Sequence, residues 1–185
     1  MTKPESELLQ KLIDDLAAAK RELDGLMFDE EYPHELGEPC TPEQITKLEG
    51  ILGKALPPSY HAFLELHNGW RNFNGGAKLL AVEDQTSSWV EKRKEDLDEL
   101  FYEDEDNENP FNNGAIPILL GEDESDYLIL DPNSLHQDGE MIFIAYDYTE
   151  EEERFTDFSS FLQQQLDLHL EMIEDEKRGV VNEED

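Results

Sequence analysis

The chain is poor in cysteine and in long apolar runs. Cys40 is the single cysteine among 185 residues, so no internal disulfide can form and a reducing compartment is permitted. No apolar run is long enough to cross a bilayer. Acidic side chains interrupt the first 23 residues, which do not fit an ordinary signal peptide. We therefore expect a soluble, cytoplasmic protein.

Basic residues are also scarce. Lysine and arginine total 14 against 47 aspartates and glutamates, which gives a formal net charge of -33. Such a surface repels phosphate backbones and anionic lipid headgroups, so it argues against binding nucleic acids or membranes and favours a basic protein partner. The alternative is that the acidity serves only solubility or adaptation to salt.

Sequence motifs for catalysis and cofactor binding are missing. There is no phosphate-binding loop, dinucleotide fingerprint or GxSxG motif, and His61 and His67 are six residues apart, which does not suit a helical metal site. The acidic run at 104–108 lacks the glycine and the closing glutamate of a calcium loop. We predict no catalytic residue, metal or cofactor. An enzyme would require a cleft that brings His67, an acid and Cys40 together.

The segment from Thr41 to Trp70, TPEQITKLEGILGKALPPSYHAFLELHNGW, has the clearest local signals. It predicts two short helices with their start and stop residues. Thr41, Pro42 and Gln44 suit the start of the first helix, Ile45, Leu48, Ile51 and Leu52 its apolar face, and Gly53 its end. Pro57 and Pro58 open the second helix, Tyr60, Phe63, Leu64 and His67 share one face of it, and Gly69 closes it.

These motifs resemble the SUKH superfamily of Smi/Knr-type proteins. The resemblance rests on a helix ending in LG, the link to LPPSY, the helix running into HNGW and a following glycine pair, and it covers Pro39 to Leu166. Later matches in the same order are Asn74-Gly75-Gly76 with Lys78-Leu79-Leu80, Ile116-Pro117-Ile118, Gly121, Tyr127 to Asp131 and Phe158 to Leu162. The resemblance implies a SUKH fold and a binding protein.

The order of elements predicts a single α+β domain, with a mixed, mostly antiparallel sheet packed with helices. An amphipathic helix over Ser6–Leu23 stops near Gly25 and, with the loop that follows, forms an N-terminal segment 1–38. The SUKH-like domain spans 39–170, and a charged tail spans 171–185. Predicted strands are Ala77–Val82, Ile116–Leu120, Tyr127–Leu130 and Met141–Tyr146, and a last helix begins at Asp157.

Residues 84–109 form a long, very acidic insertion that contains aromatic side chains. Aromatic anchors surrounded by charge are typical of tight protein interfaces, where the charges also select a partner of opposite sign. The predicted partner-binding residues are Asp84, Trp89, Asp96, Asp98, Glu99, Phe101, Tyr102, Glu103, Asp104, Glu105 and Asp106. The alternative is that Trp89 and Phe101 pack into the core and the acids only keep the segment soluble.

The resemblance implies an immunity protein that neutralises a toxin domain, because most members of the superfamily are bacterial immunity proteins and many of their targets are nucleases. A basic nuclease would also attract a chain of this charge. We expect stoichiometric binding of a basic toxin domain by a monomer or weak homodimer without enzymatic activity. The alternative is a regulatory or scaffold module of the Smi/Knr cell-wall-signalling type.

Overall fold

The computed structural model describes residues 3–27, 33–103, 107–122, 125–137 and 140–183. The chain divides into two compact units, which we describe separately. The larger unit spans 34–157, and the smaller unit combines 1–33 with 158–185. The boundaries predicted at 38 and 170 stay a prediction.

The larger unit contains a seven-stranded antiparallel sheet in which each strand pairs with the next along the chain. The strands are β1 (Glu35–Leu36), β2 (Trp70–Asn74), β3 (Ala77–Leu79), β4 (Ile116–Leu120), β5 (Asp126–Leu135), β6 (Met141–Asp147) and β7 (Glu150–Phe155). The helices of the chain are α1 (Lys3–Met27), α2 (Pro42–Leu52), α3 (Pro58–Leu66), α4 (Ser88–Glu103) and α5 (Phe158–Glu183), with short 3-10 helices at Val82–Thr86 and Pro110–Asn113. The predicted α+β class is confirmed.

The start and stop signals of α2 act as predicted. Thr41 and Gln44 form a capping box, in which the Gln44 amide donates to the Thr41 hydroxyl and the Gln44 side chain accepts from the Thr41 amide at 2.7 Å. Gly53 adopts the left-handed conformation with φ 75° and ends the helix. Ile51 is 40% exposed, so the prediction that it lies on the buried face of α2 is wrong.

Apolar residues cover both faces of the sheet. On one face, the Tyr60 ring of α3 packs edge-on against Phe143 of β6, with centroids 5.8 Å apart. Neighbouring strand residues point to opposite faces, so Ile144 of β6 lies on the other face, in a cluster with Val90 and Leu97 of α4. The sheet therefore separates α3 from α4 and fixes which side of α4 faces outward.

Three strands were not predicted from sequence. β1 has only two residues. β2 lies between Gly69, the predicted end of the second helix, and the glycine pair that follows it. β7 has the sequence EEEERF, which lacks the apolar alternation of a half-buried strand. The segment at 84–109, predicted only as an acidic insertion, contains α4, an α-helix of 16 residues.

The smaller unit pairs α1 with α5. Both helices are longer than predicted, since α1 continues to Met27 and α5 continues through the charged segment to Glu183. Arg178 contributes to this extension by contacting Glu174 at 2.8 Å, one helical turn away. Among the described residues, no helix is long and apolar enough to span a membrane.

Candidate partner-binding surface

Helix α4 has one buried side and one acidic side. Val90, Arg93, Leu97 and Phe101 follow the helical repeat and are buried. The opposite side exposes Glu91, Glu95, Asp98, Glu99 and Tyr102. Within the predicted acidic segment, α4 is therefore a helix with one side packed on the sheet and carboxylates on the other.

Two predicted aromatic anchors pack inward. Phe101 is 5% exposed and its ring lies edge-on against Tyr146, so we remove Phe101 from the candidate surface. Trp89 is half-buried and packs against the apolar cluster beneath α4. The Lys78 ammonium lies 4.5 Å from the centre of the Trp89 ring, which limits the ring surface left for a partner.

Several predicted acids have structural roles. Asp84 accepts a hydrogen bond from the Ala81 amide at 2.9 Å and pairs with Lys78 at 2.9 Å, so both of its oxygens are engaged. Asp98 accepts hydrogen bonds from Asn109 at 2.6 Å and from Asn112 at 3.4 Å. These contacts join α4 to the segment that follows it.

The other predicted residues have different positions. Asp96 pairs with Lys92 at 3.1 Å, and Glu99 is exposed. Glu103 is the last residue of α4, and Asp104, Glu105 and Asp106 lie outside the described residues. Of the three predicted aromatic residues, Tyr102 has the exposed ring, since 90% of the residue is accessible to solvent.

A second acidic segment, at Glu150–Glu153 in β7, was not predicted from the sequence. All four glutamates are exposed, and Glu151 is the cross-strand partner of Tyr146. Since Tyr146 also contacts Phe101, the C-terminal end of α4 lies over β6, one strand from β7. Burial and the nearby Glu151 raise the pKa of Tyr146. Four consecutive glutamates, followed by Arg154 and Phe155, were the available sequence signal.

We use the name acidic surface for the exposed acids of α4 with Tyr102, together with Glu151 of β7, whose cross-strand partner Tyr146 contacts α4. Its members are Glu91, Glu95, Asp98, Glu99, Tyr102 and Glu151.

Near the capping box of α2, Glu83 joins two parts of the larger unit. It accepts hydrogen bonds from Gln44 of α2 and from Asn68 after α3, the latter at 2.9 Å. Burial opposes its ionisation, but these hydrogen bonds outweigh burial and hold the pKa of Glu83 below its usual value. The Asn68 side chain also accepts from the Val82 amide at 2.8 Å. The segment Thr41–Trp70 thus has a mainly structural role.

Cys40 and His67 lie in the same part of the larger unit. Cys40 is buried, and burial together with Glu83 raises the pKa of its thiol to about 11, which is unfavourable for a nucleophile. His67 Nδ1 lies 3.1 Å from the Gly37 carbonyl oxygen. Within the described part of the chain, no group of three or more histidine, cysteine or acidic side chains is placed to hold a metal ion.

Residues 39–164 match the model of the SMI1 / KNR4 family (SUKH-1), and the chain belongs to that family. This membership supports a SUKH-type protein-interaction role. No curated protein matches the chain.

Proposed function

We propose that this protein is a cytoplasmic immunity protein that binds and neutralises a basic toxin domain, with a nuclease as the expected class. The observation that carries the proposal is the outward side of α4, where Tyr102 is 90% exposed next to Asp98 and Glu99. A large aromatic ring surrounded by carboxylates combines buried contact area with selection for positive charge.

The charge of the chain supports the same proposal. A nuclease holds phosphates with basic side chains, and a protein with a net charge of -33 is attracted to such a surface over long distances. The family match adds that the fold is of an interaction type. Covering the basic active site of the toxin would then block its access to nucleic acid.

The test is co-expression of the full chain with the C-terminal toxin domain of a secreted protein encoded beside its gene. Host survival is the expected result, and unchanged killing would contradict this pairing and favour a regulatory or scaffold module instead. A variant that combines Glu95→Gln, Glu99→Gln and Tyr102→Ala should lose protection.

A matched control removes two exposed acids from α5, with Glu171→Gln and Glu176→Gln. This control should protect as well as the natural chain, because its net charge changes by the same amount while the acidic surface is intact. Equal loss of protection in both variants would mean that total charge, rather than the surface on α4, determines binding.

A further inference from the structure

Strand β7 is an outer strand of the sheet. It comes last in the strand order and, among the described residues, pairs with β6 only. The other outer strand, β1, has two residues, whereas β7 has six. An outer strand presents backbone N–H and C=O groups on the side without a neighbour, and an extended peptide can pair with them. The length of β7 makes it the edge better suited to such pairing.

The side chains of β7 disfavour a second copy of this chain as the occupant. Two antiparallel β7 strands would place glutamates against glutamates, which is destabilising. In addition, Ala145 pairs with Glu153 and Tyr146 pairs with Glu151, so Glu152 is an extra residue that forms a bulge. A bulge increases the local twist and hinders pairing between two rigid edges. A flexible peptide can follow the twist.

The charges of β7 favour a peptide with basic side chains. Arg154 donates to Glu151 at 2.7 Å and so neutralises one of the four glutamates within the strand. Glu150 and Glu152 are exposed and form no ion pair within the described residues. Lysine or arginine side chains of an added strand would supply the missing positive charge, and cross-strand pairs of opposite charge are favourable.

We propose that β7 binds an extended segment of the partner, rich in lysine or arginine, as an eighth strand of the sheet. This inference rests on the proposed function in one respect, namely that the partner is basic. It adds a mode of binding, in which backbone hydrogen bonds along β7 supplement the charge of α4. It also assigns to Glu150 and Glu152 the role of pairing with basic side chains of the added strand, which residues in the segment 84–109 do not have.

The experiment uses the full chain and a synthetic probe, an acetylated peptide of about eight residues that alternates lysine and valine. The control peptide has the same sequence with N-methyl groups on alternate amides, which keeps the charge and removes hydrogen-bond donors from one edge. Titration calorimetry at low salt should show that N-methylation weakens binding about tenfold or more. Amide hydrogen exchange should slow within Glu150–Phe155 when the unmethylated peptide is bound.

Paired variants separate β7 from α4. Replacing Glu150 and Glu152 by glutamine should weaken binding of the unmethylated peptide, while Glu95→Gln with Glu99→Gln removes the same charge and should have the smaller effect. Equal affinity for the two peptides, or no binding of either, would overturn the proposal that β7 binds an added strand. Slower hydrogen exchange of α4 amides without slower exchange in β7 would also overturn it. Immunity is judged separately, by host survival in the co-expression test, so failure of one proposal is distinguishable from failure of the other.

Discussion

The ring of Phe101 lies edge-on against the ring of Tyr146, with the two centroids 6.4 Å apart. The next residue in the chain, Tyr102, is 90% exposed. Adjacent aromatic residues therefore have separate roles: Phe101 attaches the end of α4 to the sheet, and Tyr102 faces solvent. This attachment holds the acidic side of α4 in place beside β7.

Replacing Phe101 by alanine should therefore destabilise the larger unit. We expect the free energy of unfolding to fall by about 3 to 5 kcal/mol, because the substitution leaves a cavity next to Tyr146. Tyr102→Ala is the matched control and should change stability by less than about 0.5 kcal/mol, since its ring is exposed. Urea denaturation measures both. Equal losses in the two variants would contradict the assignment of inner and outer sides to α4.

The parts of the fold that the sequence predicts well depend on local interactions. The capping box of Thr41 and Gln44 and the left-handed Gly53 involve residues within a few positions of each other. The burial of Phe101 and the exposure of Tyr102 could not be predicted in this way. They depend on where α4 contacts Tyr146, which lies 45 positions after Phe101 in the chain. β7 was not predictable because its pairing with β6, rather than its own side chains, makes it a strand.

Binding of the proposed toxin domain should weaken as the salt concentration rises. Exposed carboxylates on α4 and β7 act through solvent, and charges more than ~8 Å apart are largely screened at physiological ionic strength. As salt is added, the association rate measured by surface plasmon resonance should fall by a larger factor than the factor by which the dissociation rate changes. If the affinity were the same at low and high salt, the proposed role of charge complementarity in binding would be wrong, even if the protein still neutralised the toxin.

Gly69 should not tolerate alanine. Its φ of 82° lies in the left-handed region, and an added Cβ would lie 2.7 Å from the Leu79 carbonyl oxygen. We expect Gly69→Ala to lower the free energy of unfolding by more than about 2 kcal/mol. Gly50→Ala is the control, because Gly50 lies in α2 with nothing within 4 Å of the added atom. That substitution should stabilise the protein by about 0.5 to 1 kcal/mol, and thermal unfolding compares the two.

Glu83 should make stability depend on pH in the acid range. Its pKa in the folded protein is held below the ordinary value of 4.5, so its contribution is present above pH 4.5 and is lost as the pH falls through the folded pKa. Because the side chain is exposed, solvent screening limits the loss in Glu83→Gln at pH 7 to about 1 kcal/mol. The difference between the two proteins should disappear in acid, and a difference that is independent of pH would contradict this assignment.

Lys20 should reduce stability at neutral pH. It is 5% exposed in the smaller unit, with its ammonium 3.1 Å from His169 Nε2, and burial lowers its pKa to about 8 although Asp24 acts in the opposite direction. The charged form is therefore disfavoured by folding. This cost is complete below pH 8 and is relieved as the pH rises toward 10.5, where the unfolded lysine also loses its proton.

Lys20→Met should accordingly raise the free energy of unfolding at pH 7 by about 1 to 3 kcal/mol, and the gain should shrink by pH 10. Lys11→Met is the matched control, because Lys11 lies exposed on the same helix and forms a surface ion pair with Asp15. It should change stability by less than about 1 kcal/mol. Urea denaturation at several pH values measures both variants. A loss of stability in Lys20→Met at pH 7 would show that the contact with His169 outweighs the cost of burying the ammonium.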